Sequence, residues 1–278
     1  MTTVAGPRRA GARRGRGAIG VGRTRVPLRL VYVLMLVFLY LPIAVLFIFS
    51  FSTNTTLSFP IKGVTVDWYV SVFKNAQLLS AARNSLVVGL LAATVATGLG
   101  LATSIAVIRF RFAGRGLLLA LAGAPLVVPF VMMAVALFLI FSLLNVPRSL
   151  LTIAAGHSVI ALPYAALILL SRLIGLDPAL EDAAMDLGAS YPTTLRKIVL
   201  PLLGPSLLSA WLTCFIVSFD EVAMAVFLAG RDQTFPVFLY GQLRFAQTLP
   251  VMIAMAVLLM MGTVTLTLVA YVIRSRSA

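Results

Sequence analysis

Residues 30–51 read LVYVLMLVFLYLPIAVLFIFSF and contain no charged side chain. An α-helix rises about 1.5 Å per residue, so a run of this length crosses the hydrocarbon core of a bilayer, which is about 30 Å thick. The apolar core of a secretory signal is shorter, roughly 7–15 residues, and it precedes a small-x-small cleavage site that is missing here. We therefore predict an uncleaved first transmembrane helix.

The rest of the chain has the same apolar character. Hydrophobic residues make up 61% of the 278 residues and charged residues 11%, whereas soluble domains hold about 45–50% and about 25%. Most of such a chain needs lipid as its solvent, and we predict an all-α polytopic membrane protein. Six segments are long enough to cross the bilayer: 29–51, 85–108, 117–144, 149–171, 203–229 and 249–273.

The basic residues predict the orientation. The net charge is +14, but no basic face carries interleaved aromatic residues, so nucleic acid is not an expected partner. With the N-terminus in the cytoplasm, sixteen of the 22 basic residues lie inside and six outside, as the positive-inside rule requires. We predict six spans with both termini inside: a disordered basic N-tail (1–28), a transmembrane domain (29–273) and a cytoplasmic C-tail (274–278).

Several chemistries lack the residues that they need. The chain has one cysteine, Cys214, and one histidine, His157, so neither a disulfide framework nor a metal-ligand cluster is expected within it. No Gly-x4-Gly-Lys-Ser/Thr phosphate loop is present, so the chain is not expected to hydrolyse ATP. We predict a non-enzymatic protein without a cofactor.

Two spans carry packing signals. Small residues recur at three- and four-residue spacing through 89–100, which allows close helix contact in a membrane. The third span contains Pro125 and Pro129, and the fourth Pro163. Prolines bend helices and free backbone carbonyls, which is compatible with a gated pathway and equally with a kinked bundle.

The segment 172–202 has the pattern of a helix–turn–helix on the cytoplasmic side. Asp177 and Pro178 predict a helix start, and Gly188 predicts its left-handed end. A second helix is expected from Ser190 to Pro201. The first helix has a small apolar face, which suits either an ordinary connector or docking to another protein.

The same segment resembles the EAA loop of ABC importer permeases. The family pattern is Glu-Ala-Ala, three residues, Gly, nine residues, Ile-x-Leu-Pro, and the matching residues are Asp182, Ala183, Ala184, Gly188, Ile198, Leu200 and Pro201. Asp182 departs from the usual Glu, and Glu181 lies one place too early. The resemblance implies the type I importer permease fold, with this loop as the coupling helix that sits in a cleft of the cytoplasmic ATPase.

Other stretches are similar to the spermidine/putrescine-type branch of that family. They are Leu39–Pro42, Trp68-Tyr69, Arg109–Phe112, Gly156-His157, Leu162–Tyr164 and Ser218–Val222. The resemblance implies a multi-pass permease subunit in the bacterial inner membrane. Its implied partners are a second permease in a heterodimer, two copies of an ATP-binding subunit, an extracytoplasmic binding protein and membrane lipid.

Asp220 and Glu221 are the only acidic residues within a predicted span, and an intramembrane charge marks a functional site by default. Counted from the outer span ends, Asp220 lies roughly 13 Å deep and His157 roughly 10 Å. Tyr164 lies two turns deeper on the side of His157. We predict an acidic–aromatic layer on the outer side of a translocation path. The structural alternatives are a pairing of the acids with Arg231 or Arg244, simple exposure at the outer end of the span, and a histidine that merely packs.

Carboxylates in a path favour a cationic cargo, because ammonium groups need anionic or aromatic partners on leaving water. Together with what the resemblance implies, this predicts ATP-driven import of a small polyamine such as putrescine or spermidine. Import of another small organic solute, or ATP-independent transport or conduction at Asp220 or Glu221, are the alternatives. An intramembrane enzyme is disfavoured, since the chain offers no nucleophile–base constellation.

Overall fold

The computed structural model describes Thr2 and residues 28–276, with side-chain surroundings as far as Thr265. Apart from Thr2 and Leu28, the predicted N-tail lies outside the described residues, as do the last two residues of the predicted C-tail. The described part is helical and contains no strand, only an isolated bridge between Ser52 and Val64. This agrees with the predicted all-α class.

Twelve α-helices follow one another along the described chain. They are α1 (Leu28–Phe49), α2 (Asp67–Lys74), α3 (Ala76–Arg109), α4 (Arg115–Gly123), α5 (Phe130–Leu143), α6 (Leu150–Ile174), α7 (Ala179–Asp186), α8 (Tyr191–Thr194), α9 (Leu200–Phe219), α10 (Ala223–Leu228), α11 (Phe235–Gln242) and α12 (Leu249–Arg276). A π-helical turn, Leu195–Val199, joins α8 to α9 without a break.

The chain divides into two units, Met1–Val45 and Leu46–Ala278. In the first unit, α1 is apolar on all sides and its side chains are almost all exposed along Leu28–Val45. A helix that is apolar all round belongs in lipid or against another apolar surface. The predicted first span, 29–51, therefore corresponds to α1, which ends at Phe49, two residues earlier than predicted.

In the second unit, α3, α6 and α9 pack along one another and form the centre. The contact is built from small side chains, namely Ala93 and Ala96 of α3, Ala161 and Ala165 of α6, and Ala210 and Cys214 of α9. A Cβ added at Gly100 would lie 2.6 Å from the Cβ of Ala165. The small residues of 89–100 thus let the helices approach closely, as their spacing predicts.

Five helices in the described residues are long and apolar enough to cross a membrane, and a bent pair makes a sixth if it counts as one span. The bent pair is Arg115–Leu126 with Phe130–Leu143, at an angle of 110°. The predicted span 117–144 is thus made of two helices with a sharp bend between them, at the prolines that predict one. Pro125 lies in a 3₁₀ turn and Pro129 precedes α5, because proline cannot donate the hydrogen bond that would continue a helix.

Two other predicted spans have different limits. The second begins at Ala76 rather than at residue 85, since the Asn75 side chain accepts a hydrogen bond from the Leu78 N–H at 3.0 Å and starts α3 there. The fifth ends at Phe219 rather than at residue 229. Its predicted outer third is a separate short helix, α10, which packs against α5 and α6.

The predicted outer segment 52–84 contains α2, which carries the Trp68-Tyr69 pair. The Trp68 indole N–H donates to the Ser52 carbonyl at 2.7 Å, and the Tyr69 and Ser50 hydroxyls lie 2.7 Å apart. Val72, the buried residue of α2, packs with Leu78 of α3 and with Met252 and Met255 of α12. This outer segment is therefore folded onto the second unit.

Candidate functional site

Asp220 and Glu221 lie at the break between α9 and α10. Asp220 is the residue after the last turn of α9, where its N–H donates to the Ile216 carbonyl at 3.2 Å, and its side chain is exposed. The Glu221 carboxylate accepts a hydrogen bond from the Met224 N–H at 3.0 Å. Glu221 thus caps the start of α10, while the Asp220 carboxylate is left for other contacts.

Neither Asp220 nor Glu221 forms an ion pair with an arginine among the described residues. In the residues that the structure describes, the one ion pair is between Arg109 and Glu181. The structural alternative of an Asp220 or Glu221 pair with Arg231 or Arg244 is therefore absent from this part of the chain.

His157 joins α6 to the last turn of α9. The side chain is fully buried, and its Nδ1 lies 2.8 Å from the Ser218 hydroxyl. Its Nε2 has no hydrogen-bond partner among the described residues. Ser218 precedes Asp220 by two residues, so this contact links α6 to the end of α9 next to the break.

Tyr164 lies seven residues further along α6, which is about two turns, and is half-buried. No hydrogen bond of its hydroxyl occurs in the described part of the structure. The geometry thus brings His157 to the break that carries Asp220 and Glu221, and leaves Tyr164 as a separate, deeper position.

An aromatic ladder on α9, which sequence reasoning missed, ends beside the break. Trp211, Phe215 and Phe219 recur every four residues, with ring centroids 5.7 Å apart at each step. The Trp211 indole donates to the Thr94 hydroxyl of α3 at 3.1 Å. The four-residue spacing, which places side chains on one helical face, was the signal in the sequence. The ring faces can attract ammonium groups.

The helix of the coupling segment has the predicted ends. The Asp177 carboxylate accepts a hydrogen bond from the Ala179 N–H at 3.0 Å. Gly188 has a φ of 86°, and the Ala189 N–H donates back to the Ala184 carbonyl at 3.0 Å. This is the left-handed closure that glycine provides. The predicted helix–turn–helix is confirmed, with α7 followed by α8 and the π-helical turn.

Most side chains of α7 are exposed on the surface of the second unit. Leu180 is 47% exposed and Leu187, just past the helix, is 90% exposed. Asp182 and Ala183 are exposed and Ala184 is half-buried. In the second half of the motif, Ile198 and Leu200 are half-buried and Pro201 is exposed. The motif residues around Asp182 therefore form an open surface with an apolar part.

Glu181 is the exception within α7, and its role was missed from sequence. It is the one buried residue of this helix, and its carboxylate lies 2.6 Å from the guanidinium of Arg109 at the end of α3. Arg109 and Glu181 are 72 positions apart, so no local sequence pattern indicates that they form a pair.

An open polar cavity of about 760 Å³ lies elsewhere. It opens between the start of α3 and the segment that contains α11. Its lining is rich in amide and charged side chains, among them Gln77, Asn84, Arg231, Gln233 and Arg244. None of the predicted pathway residues lines it. No group of three metal-ligating side chains occurs in the described residues.

Two solved structures of bacterial ABC transporters share this arrangement of helices. The chain aligns with a bacterial ABC transporter involved in the import of the acidic polysaccharide alginate, with a TM-score of 0.67 and 16% identity over 89% of this chain and 94% of that one. A bacterial alginate ABC transporter in complex with an alginate pentasaccharide-bound periplasmic protein gives 0.66 at 18% identity, over 88% and 90%. The fold is that of an importer permease.

The sequence narrows this class to a family. The model of binding-protein-dependent transport system inner membrane components matches residues 96–277. The spermidine/putrescine transport system permease protein PotC of Haemophilus influenzae is 37% identical over 169 residues, 61% of this chain and 66% of that protein. PotC of Escherichia coli is 34% identical over 184 residues, 66% and 70% of the two chains.

The putrescine transport system permease protein PotI of Escherichia coli is 34% identical over 190 residues, 66% of this chain and 68% of that protein. The match thus spans about two thirds of the length of these relatives. This chain belongs to the family of binding-protein-dependent transport system inner membrane components. It is a multi-helix component of an ABC importer in the inner membrane, of the kind that works with a binding protein.

Proposed function

We propose that this chain is the translocating subunit of an ATP-driven importer for a small polyamine such as putrescine or spermidine. The observation that carries the proposal is the exposed carboxylate of Asp220 at a helix break within an apolar bundle, where no described residue forms an ion pair with it. The names of the PotC and PotI relatives support the same class of cargo.

The chemistry of the break suits an alkyl cation. An ammonium group that leaves water needs a carboxylate or an aromatic face to replace its hydration. Asp220 offers the first, and the ladder of Trp211, Phe215 and Phe219 offers the second along one face of α9. His157 and Tyr164 complete the proposed pathway residues on α6. Glu221 contributes by holding α10 in place through its hydrogen bond to Met224.

The open surface of α7 supports an ATP-binding partner. Leu180 and Leu187 are exposed apolar side chains on a segment that the proposed topology places in the cytoplasm. Apolar surface presented to water in this way favours docking. We propose two copies of a cytoplasmic ATP-binding subunit, one beneath each permease of a heterodimer, with hydrolysis taking place in those subunits. A binding protein delivers the cargo from the other side.

Asp220→Asn tests the charge at the break. The change keeps the shape and removes the negative charge, so uptake of labelled putrescine or spermidine by the complete importer in proteoliposomes should fall at least tenfold. A tenfold loss corresponds to about 1.4 kcal/mol. The amount of assembled complex and its ATP hydrolysis should stay within twofold of the unsubstituted protein.

Asp232→Asn is the matched control, because Asp232 is an exposed acidic residue of the segment after α10. It should leave uptake unchanged. Unchanged uptake in the Asp220 variant would contradict the role of this carboxylate, and equal losses in both variants would point to a general effect of surface charge.

A further inference from the structure

Arg109 and Glu181 form a buried contact between two segments that are far apart in sequence. Arg109 is the last residue of α3, and Glu181 lies in the first turn of α7. The guanidinium and carboxylate atoms are 2.6 Å apart, and the side chains are 15% and 7% exposed. A surface pair of this kind contributes little, but a buried pair depends strongly on both partners being present.

The ion pair attaches α7 to a third helix, α3. The other two attachments of α7 are backbone connections, because its segment follows α6 and leads into α9. Neither of these backbone connections includes α3. Because Glu181 is the one buried residue of α7, the link from α7 to α3 rests on the ion pair rather than on apolar packing.

A second contact lies next to the first. The rings of Phe110, the residue after α3, and Tyr191, the first residue of α8, meet edge to face with centroids 5.7 Å apart. The Tyr191 hydroxyl and the Arg109 Nε are buried without hydrogen-bond partners in the described part of the chain. Arg109 and Glu181 are thus joined by a close ion pair alone, with no further hydrogen bond to either group in this part of the chain, and the Phe110–Tyr191 ring contact lies beside them.

The other end of the linkage is the centre of the bundle. Leu101, Ile105 and Ile108 of α3 pack on Leu203 and its neighbours at the start of α9. Further along, α3 lies against α6 and α9 over most of its length. A displacement applied to Arg109 therefore acts on the helix that both other central helices contact.

We propose that the Arg109–Glu181 pair is the joint through which movement of α7 displaces α3, so that both are positioning residues for transport. This rests on the proposed function, since it presupposes an ATP-binding subunit beneath α7. With the joint intact, closure of the ATPase moves α6, α9 and α3 together. Without it, α7 still docks, but movement of α7 reaches α3 only through the packing of α3 on α6 and α9, and hydrolysis is coupled less tightly to transport.

The test measures uptake and ATP hydrolysis together in the complete importer with its binding protein. Arg109→Gln and Glu181→Gln should each lower the amount of cargo moved per ATP at least fivefold, while the ATP-binding subunit still co-purifies. The double variant Arg109→Glu with Glu181→Arg restores opposite charges and should recover at least half of the original ratio. Arg111→Gln is the control, because Arg111 is an exposed arginine two residues away.

The proposal is contradicted if Arg109→Gln and Glu181→Gln keep the original amount of cargo moved per ATP. It is also contradicted if these single variants lose the ATP-binding subunit altogether, because the pair would then serve folding or docking only. A double variant that moves no more cargo per ATP than the single variants contradicts it as well. If a single variant fails to fold, the amount of cargo that the double variant moves per ATP decides the question. Failure of the proposed function has another signature, namely no ATP-dependent polyamine uptake by the unsubstituted importer.

Discussion

Gly100 marks a point where the backbones of α3 and α6 meet. A Cβ at this position would lie 2.6 Å from the Ala165 Cβ and 2.9 Å from the Ala166 nitrogen. Four residues later, the Ser104 hydroxyl donates to the Ala166 carbonyl at 3.1 Å. The absence of a side chain at Gly100 thus permits both the packing and an interhelical hydrogen bond.

Gly100→Ala should therefore destabilise the bundle. The added methyl group meets backbone, which cannot rotate away, and overpacking of this kind costs about 1–3 kcal/mol. Thermal unfolding of the detergent-solubilised protein should show a lower midpoint. Gly98→Ala, in the same helix with nothing within 4 Å of the new Cβ, should not lower it. Equal midpoints for the two variants would mean that α3 and α6 can separate without cost.

Single residues also show where sequence reasoning ends. The ends of α7 followed from Asp177 and Gly188, because capping is a local chemistry of adjacent residues. The candidate acids were found because a charge in an apolar run is conspicuous. The Ser218 partner of His157 and the Arg109 partner of Glu181 were not found, because each depends on how distant helices pack.

At the scale of elements, hydropathy located the apolar runs but not the direction of the chain within them. The run 117–144 contains a bend of 110°, and 203–229 contains the break before α10. Averaging over a window detects how apolar a segment is and does not register a backbone turn inside it. The prolines in 117–144 indicated a bend, whereas the break at Asp220 has no proline and was missed.

The left-handed end of α7 is an element-level device that can be tested. Gly188 has a φ of 86° with open space around it, so Gly188→Ala introduces only backbone strain, about 1–2 kcal/mol for a left-handed residue. The strain should loosen the end of α7 and reduce co-purification of the ATP-binding subunit several-fold. Retention at the original level would argue against α7 as the docking element.

Gly175→Ala is the control for this change. Gly175 ends α6, on the other side of α7, with a negative φ of −82°, and the nearest atom to an added Cβ is 3.7 Å away. Alanine is therefore accommodated there without strain, and co-purification should stay at the original level.

For the second unit as a whole, contacts between connecting segments indicate which ends of the helices lie together. The Asn84 amide donates to the Gln233 carbonyl at 3.0 Å, and Gly230 lies directly against the Arg148 carbonyl. Arg148 is thus at the end of the bundle where α3 begins. Arg109, at the other end of α3, lies about 37 Å along the helix from Asn84. These contacts favour a bent pair, α4 with α5, that crosses the bundle once and does not return to its starting side.

Labelling of single cysteines tests this crossing and its orientation together. In a Cys214→Ala background, Lys74→Cys and Arg148→Cys should react with a membrane-impermeant maleimide added outside spheroplasts, because both positions are exposed and predicted outside. Arg115→Cys should react only after permeabilisation. If Arg148→Cys instead behaved like Arg115→Cys, the bent pair would be re-entrant. If all three patterns were reversed, the charge bias of the N-tail would have predicted the wrong orientation, and α7 would lie on the side without ATP.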